Sequence, residues 1–258
     1  MAEEVLARKG AADTLGPLIH NPQVVADLEA RGARVAEGAA DVRTDTVIVR
    51  SHGIMPQVRA QLADAQLDIV DATCPYVLRA QKAAQQLACD GCRVLIVGEQ
   101  GHPEVCAIRE HARIEGACVD VVGSAADIPE DVSEPVGVVV QTTQRADALR
   151  AVVEALEARG IRPQVRDTIC SATSERQEAA QQLAGSVDAM VVIGGKNSSN
   201  TTRLAEICAE VCERTYHVES AAELAPSMFA GCASAGVTAG ASTPEYQITE
   251  VVRALQQM

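Results

Sequence analysis

Short runs of β-branched and apolar residues alternate along this chain with longer Ala-, Leu- and Glu-rich segments of helical periodicity. The runs predict strands at Thr46–Arg50, Leu67–Val70, Arg93–Val97, Val136–Val140, Ala189–Ile193 and Ala235–Thr238. The periodic segments predict helices at Pro22–Arg31, Pro56–Ala65, Tyr76–Ala88, Pro103–Ala112, Ala146–Arg159, Glu175–Leu183, Thr202–Glu213 and Pro244–Gln257. Unbroken apolar strands between amphipathic helices indicate an α/β protein with mostly parallel sheets, covered on both faces. No linker or low-complexity segment separates units, so boundaries are placed in the turns near Asp71–Pro75 and Cys170–Ser174. The result is three α/β units, at 1–73, 74–170 and 171–258, the last ending in a helix.

Small polar residues, His or Cys follow nearly every strand and precede the next helix. The loops carry Ser51-His52-Gly53, Asp71-Ala-Thr-Cys74-Pro75, Gly101-His102-Pro103-Glu104, Gln141-Thr142-Thr143, Cys170-Ser-Ala-Thr173, Ser198-Ser199-Asn200 and Ala241-Ser242-Thr243. Ligands of α/β folds bind beyond the carboxyl ends of strands. The three units are therefore expected to face one central cavity with these loops.

Composition narrows the partners. The formal charge is −13, with 35 acidic and 22 basic residues, and there are no Trp, one Phe and three Tyr. An acidic chain without aromatic platforms is poorly suited to nucleic acid or anionic lipid. No apolar run reaches the roughly 20 residues of a membrane span, and the start lacks the apolar stretch of a signal peptide. A cytoplasmic location is expected. Nine irregularly spaced Cys do not read as a disulfide framework, which leaves core filler or metal ligation for them.

Cys74 and Cys170 each lie between a strand and a helix, where the positive helix end favours a thiolate. Each could equally be a buried turn residue; together they could meet at one metal centre. Ser174-Glu-Arg-Gln177 reads as a capping box opening the helix after Cys170. Cys89-Asp-Gly-Cys92 reads as a post-helix turn, Cys208 and Cys212 as core, and Cys106, Cys118 and Cys232 carry no motif.

Glu104 falls in a first helical turn. It is either a favourable helix-start acid or, if enclosed beside an anion, a proton donor with a raised pKa. Gly194-Gly195-Lys196-Asn197-Ser198-Ser199-Asn200 opens a helix and suits an anion, but its spacing is not that of a Walker A loop. Ser242 offers a second such hydroxyl. His20, His52 and His102 flank turns and are structural hydrogen-bonders or ligand contacts; His111 and His217 lack motif context.

Eight segments taken in order resemble the motifs of the LytB/IspH reductase family. They are Gly16-Pro-Leu-Ile-His20-Asn-Pro, Ser51-His52-Gly, Asp71-Ala-Thr-Cys74-Pro, Gly101-His102-Pro-Glu104-Val, Gln141-Thr142-Thr143, Ile169-Cys170-Ser-Ala-Thr, Asn197-Ser198-Ser199-Asn200-Thr and Thr238-Ala-Gly-Ala-Ser242. The resemblance implies a reductive dehydroxylation of 4-hydroxy-3-methylbut-2-enyl diphosphate to isopentenyl and dimethylallyl diphosphate. It further implies a [4Fe–4S] cluster bound by Cys74 and Cys170 and an external electron donor such as ferredoxin or flavodoxin. Glu104 would deliver protons with Thr142 or Thr143, while His20, His52, His102, Ser198, Ser199, Asn200 and Ser242 would hold the diphosphate and its surroundings. Family members open with a strand and a Gly-Phe-Cys turn that supplies a third cluster ligand. Met1–Gly10 resembles the latter half of the helix that follows, so the first unit is expected to be incomplete and that third ligand to lie before Met1. The alternative expectation is a cluster-free homologue that binds diphosphates without catalysis.

Overall fold

The computed structural model describes all 258 residues. They form two compact units: Met1–Ile19 with Ala26–Cys170, and His20–Val25 with Ser171–Met258. All three sheets are parallel throughout, as the unbroken apolar strands predicted.

The first unit holds two sheets. Helix α1 (Ala2–Lys9) leads into β1 (Ala12–Leu15), and α2 (Pro22–Ala30) into β2 (Ala33–Ala36). Strand β3 (Thr46–Val49), helix α3 (Pro56–Asp64) and β4 (Asp68–Asp71) complete a sheet of order β2-β1-β3-β4. The second sheet is built from α4 (Pro75–Cys89), β5 (Arg93–Val97), α5 (Pro103–Arg113), β6 (Val119–Val122), β7 (Val136–Val140), α6 (Ala146–Ala158) and β8 (Gln164–Arg166), in the order β6-β5-β7-β8. In the second unit, α7 (Ser171–Ala184), β9 (Ala189–Ile193), α8 (Ser199–Ala209), β10 (Thr215–Val218), β11 (Ala235–Ala239) and α9 (Glu245–Gln256) give the order β10-β9-β11.

Burial explains which strands are legible in the sequence. The central strands β5, β7 and β9 are buried on both faces. In β5 and β7, Leu95, Val97, Val138 and Val140 pack against Leu149, Val152 and Leu156 of α6. Their neighbours Val94, Ile96 and Val139 face the other way, against Leu87 of α4 and Ile108 of α5. Strand β9 divides likewise, Met190 and Val192 meeting Leu204 and Cys208 while Val191 and Ile193 meet Val251. Alternate faces of a strand thus serve two helical layers. Prolines at the first turns of α3, α4 and α5 fix those helix starts, since Pro lacks only an N–H that would be unpaired there.

Two expectations need correction. The pattern did not predict β1, β2, β6, β8 or β10, which are three or four residues long and mostly mixed in polarity. The helix after Cys170 begins at Ser171, so Ser174 lies inside α7 rather than at its cap. By contrast Cys89 and Cys92 flank a turn at Asp90-Gly91, and Cys208 and Cys212 are core, as expected.

Asp13 is the polar residue that a strand pattern penalises, and it is fully buried in β1. Its Oδ2 accepts from the backbone N–H groups of Arg43 and Thr44 at 2.8 and 2.7 Å. Arg34 Nε lies 2.6 Å from Oδ1, an ion pair without hydrogen-bond alignment. Burial pushes the Asp13 pKa up, but these N–H groups, Thr44 and Arg34 together hold it below the ordinary carboxylate value. Its stabilising contribution is thus present above pH 3.8 and lost as pH falls through the lower folded value. Asp13→Asn turns an amide toward Arg34 and weakens the charge-assisted bonds. We expect a loss of about 2 kcal/mol, read as a lower urea midpoint at neutral pH with the m-value unchanged.

Candidate active site

Five strand-to-helix turns of the first unit are linked by a run of contacts. Cys74 is the N-cap of α4, and its N–H donates to the Ser51 carbonyl at 2.9 Å. Asp71 fixes the approach, its Oδ1 accepting from the Thr73 N–H at 3.0 Å. Next to Ser51, the His52 ring meets the His102 ring edge to face, centroids 5.4 Å apart. His102 caps α5, its Nδ1 accepting from the Glu104 N–H at 3.1 Å. An accepting Nδ1 carries no proton, so the neutral His102 ring presents Nε2–H as a donor.

Glu104 is almost wholly buried, at 1% exposure. Its Oε1 accepts from the Thr142 N–H at 2.7 Å and its Oε2 lies 2.8 Å from the Thr142 hydroxyl. Burial raises its pKa to about 7; the two Thr142 bonds oppose the rise and Glu99 adds to it. When the carboxyl is protonated, the proton belongs on Oε2, because Oε1 faces a fixed donor. The Thr142 hydroxyl then accepts that proton and can direct its own elsewhere. Cys170 closes the run, its N–H donating to the Thr142 carbonyl at 3.0 Å. Arg79 of α4 donates to the Ile169 carbonyl at 3.1 Å, tying the Cys170 turn to the helix that Cys74 caps.

Thr143 is held differently. Its hydroxyl accepts from Gln141 Nε2 at 3.1 Å, while Gln141 Oε1 accepts from the Glu99 N–H at 2.9 Å. Fully buried Gln141 braces two of the loops. The sequence named it only as part of a motif, since a polar residue ending a strand gives no sign of where its amide points.

The second unit holds the other expected residues. Ser198 caps α8, accepting from the Thr201 N–H at 3.4 Å, and Ser199 opens that helix. Asn200 is buried, and its Nδ2 has no partner. The Ser242 hydroxyl donates to the His20 carbonyl at 3.4 Å. Asn21, beside it, donates to the Ser242 carbonyl and to Gln247 Oε1, at 3.1 and 2.8 Å. Its Oδ1 accepts locally, from the Gln23 and Val24 N–H groups, but the partners of its Nδ2 lie more than 200 positions away and leave no sign in the sequence. Gly195 permits the packing here: a Cβ on it would sit 2.6 Å from the His20 carbonyl oxygen. Lys196 is turned away and pairs with Glu223, so the turn's free donors are uncharged.

The family profile described as LytB protein matches residues 1–256. The chain belongs to the LytB family. A Geobacter sulfurreducens relative named 4-hydroxy-3-methylbut-2-enyl diphosphate reductase is 48% identical over the whole chain and 90% of its own length. One of the same name from Geobacter metallireducens is 43% identical, over the whole chain and 91% of its own length. A solved (E)-4-hydroxy-3-methyl-but-2-enyl diphosphate reductase matches the whole chain and 92% of its own, at 43% identity and a TM-score of 0.72. The Plasmodium falciparum E-1-hydroxy-2-methyl-but-2-enyl-4-diphosphate reductase matches 99% of this chain and 81% of its own, at 26% identity and a TM-score of 0.90.

LytB membership makes the donor set a question for the iron–sulfur group of that family. Cys74 and Cys170 are free, half-buried thiols on turns linked through Thr142 and Glu104, and suit two thiolate ligands. The seven other cysteines are placed otherwise: Cys89 ends α4, and Cys232 accepts from Arg214. Cys106 borders a cavity beside Arg50; Cys92 and Cys118 border another with Pro135, ahead of β7; and Cys208 and Cys212 are core. No helix is long and apolar enough to cross a membrane.

Proposed function

We propose that this LytB chain removes the hydroxyl of 4-hydroxy-3-methylbut-2-enyl diphosphate reductively, giving isopentenyl and dimethylallyl diphosphate. Glu104 supplies, through the Thr142 hydroxyl, the proton that turns the departing hydroxyl into water; two electrons and a second proton, taken up by the allylic carbon, complete the reduction. The observation that carries this reading is the buried Glu104–Thr142 pair with a carboxyl pKa of about 7. Hydroxide is a poor leaving group, so the departing oxygen needs an acid that is protonated near neutrality. An ordinary surface glutamate would be almost fully ionised there.

Cys74 and Cys170 are assigned as two ligands of a [4Fe–4S] cluster. When bound, the cluster supplies electrons and Lewis acidity toward the substrate oxygen. A ferredoxin- or flavodoxin-type protein replenishes the electrons. Thr143 orders the Gln141 loop beside the acid. His52 and His102 of the first unit contribute imidazole donors, and His20 of the second contributes another. Ser198, Ser199, Asn200 and Ser242 hold diphosphate oxygens, with the α8 N-terminus adding backbone donors and a favourable dipole. The unpartnered buried Asn200 amide supports this assignment, because such a group costs stability unless a ligand satisfies it.

The test uses anaerobically reconstituted protein, with dithionite as reductant and product analysis by chromatography. Conversion of the hydroxylated diphosphate to both five-carbon products is expected; iron-loaded protein that leaves it unchanged refutes the proposal. Iron retained after desalting should fall severalfold in Cys74→Ser and Cys170→Ser and stay unchanged in Cys106→Ser. A loss in Cys106→Ser equal to that in the other two would place Cys106 among the ligands instead.

A further inference from the structure

Strand order β2-β1-β3-β4 reverses direction between β1 and β3, and such a switch point is where open α/β sheets hold ligands. A cavity of about 190 Å³ lies there, bordered by the turns after β1, β2 and β3 and by the first turns of α5. None of the residues assigned to the reductase chemistry lines it.

Arg50 directly follows β3 and lines this cavity. Its guanidinium lies against Gly16, whose φ is +68° and where a Cβ would fall 2.5 Å from Nη1. A larger residue at position 16 would strain the backbone and force the guanidinium to shift. Arg50 makes no ion pair, and its buried Nε has no hydrogen-bond partner. Every other partly buried arginine in this unit has a counter-charge: Arg34, Arg93 and Arg145 pair with aspartates, and Arg109 with Glu110. Burial lowers the Arg50 pKa from its ordinary value. A desolvated cation without a counter-charge is unfavourable, and an anion in the cavity would relieve it.

The rest of the lining sets the kind of anion. Leu15, Ile54 and Val58 make one wall apolar. Glu37 stands exposed at the rim and disfavours a second negative charge. The volume is below the roughly 300–1,000 Å³ of sites for drug-sized ligands. We propose that this cavity binds a small monoanion with a short apolar tail, its acid group on Arg50 and its tail against Leu15, Ile54 and Val58. Arg50 and Gly53 close a turn around His52, the Gly53 N–H donating to the Arg50 carbonyl at 3.0 Å, so an occupant would bear on the loop that carries that imidazole.

Cys106 borders the cavity and reports on occupancy. The probe is isovalerate, a branched five-carbon carboxylate. The readout is the rate of iodoacetamide alkylation at Cys106, by peptide mass spectrometry, with exposed Cys89 as internal reference. At about ten times its Kd, isovalerate should slow Cys106 about tenfold by mass action and leave Cys89 unchanged. Uncharged isovaleramide should not protect, and Arg50→Gln should remove the protection by isovalerate. If Arg50→Gln does not fold, Val58→Phe decides: it fills the cavity, keeps the guanidinium, and should make the Cys106 rate insensitive to isovalerate. The proposal is overturned if about 100 mM isovalerate, far above a Kd of about 1 mM, leaves Cys106 unprotected. Equal protection by the amide, or undiminished protection in Arg50→Gln or Val58→Phe, overturns it as well.

Discussion

Glu104→Gln is expected to lower turnover of the iron-loaded protein by about 10²–10⁴-fold, the usual contribution of a general acid, with KM nearly unchanged. The amide keeps the shape of the neutral carboxyl. Its oxygen can accept from the Thr142 N–H at the Oε1 position, and its NH2 can donate to the Thr142 hydroxyl at the Oε2 position. The site should therefore stay assembled and lose only the transferable proton. In wild-type protein, kcat should fall as pH rises through about 7, where Glu104 loses its proton. Thr142→Ala should move that fall to higher pH, because both Thr142 bonds favour the ionised carboxyl and the hydroxyl bond is removed. Steady-state kinetics from pH 5.5 to about 8.5 test all three statements. Turnover of Glu104→Gln within a few-fold of wild type, at equal iron content, would refute the assignment of Glu104 as the acid.

The same substitution should stabilise the protein in alkaline solution, with an effect on the order of 3 kcal/mol at pH 8. The sign follows from the direction in which burial moves the carboxyl. The Glu104 pKa rises from 4.5 in the unfolded chain to about 7 in the folded one. Between these values the folded state binds more protons than the unfolded state, so stability declines as pH rises. Below pH 4.5 both states are protonated and the burial penalty is absent. Above about 7 the penalty is complete, at about 1.4 kcal/mol for each tenfold change in the acid dissociation constant. Glutamine has no such dependence. The difference in urea unfolding free energy between variant and wild type should thus be near zero at pH 4.5 and grow in favour of the variant up to pH 8. A difference that stays flat with pH would mean that the carboxyl is not desolvated as the structure indicates. Opposite effects on turnover and stability from one substitution are the expected mark of a group placed for chemistry at a cost to the fold.

Much of the site was legible as a set of residues and not as an arrangement. Cys74, Cys170, Glu104 and the Ser198–Asn200 turn stand out in the sequence because each follows a strand and opens a helix. The helices at Pro22, Pro56, Pro103 and Ala146 start where their sequence signals place them. The sequence does not distinguish Thr142 from Thr143 as the proton relay. The structure bonds Thr142 to Glu104 across 38 positions and Thr143 to Gln141 instead. Neighbouring threonines look alike in sequence, whereas in a loop their side chains point in different directions and meet different partners.

Local pattern by itself determined the α/β class, the central strands and most helix starts. The physical reason is that β5, β7 and β9 bury both faces, so their apolar runs record a tertiary environment in a few adjacent residues. The strands that the pattern misses carry no such record: β8 is exposed along its length, and β1 admits Asp13 because its partners arrive from residues 34, 43 and 44. Tertiary structure alone decided that Glu104 is desolvated enough to hold a proton near neutrality, since a first-turn glutamate is by default an exposed and ionised one. It alone left Arg50 without a counter-charge at the β1–β3 switch point. A residue's charge is written in the sequence, but its solvent and its partners are fixed by segments that are distant along the chain and adjacent only after folding.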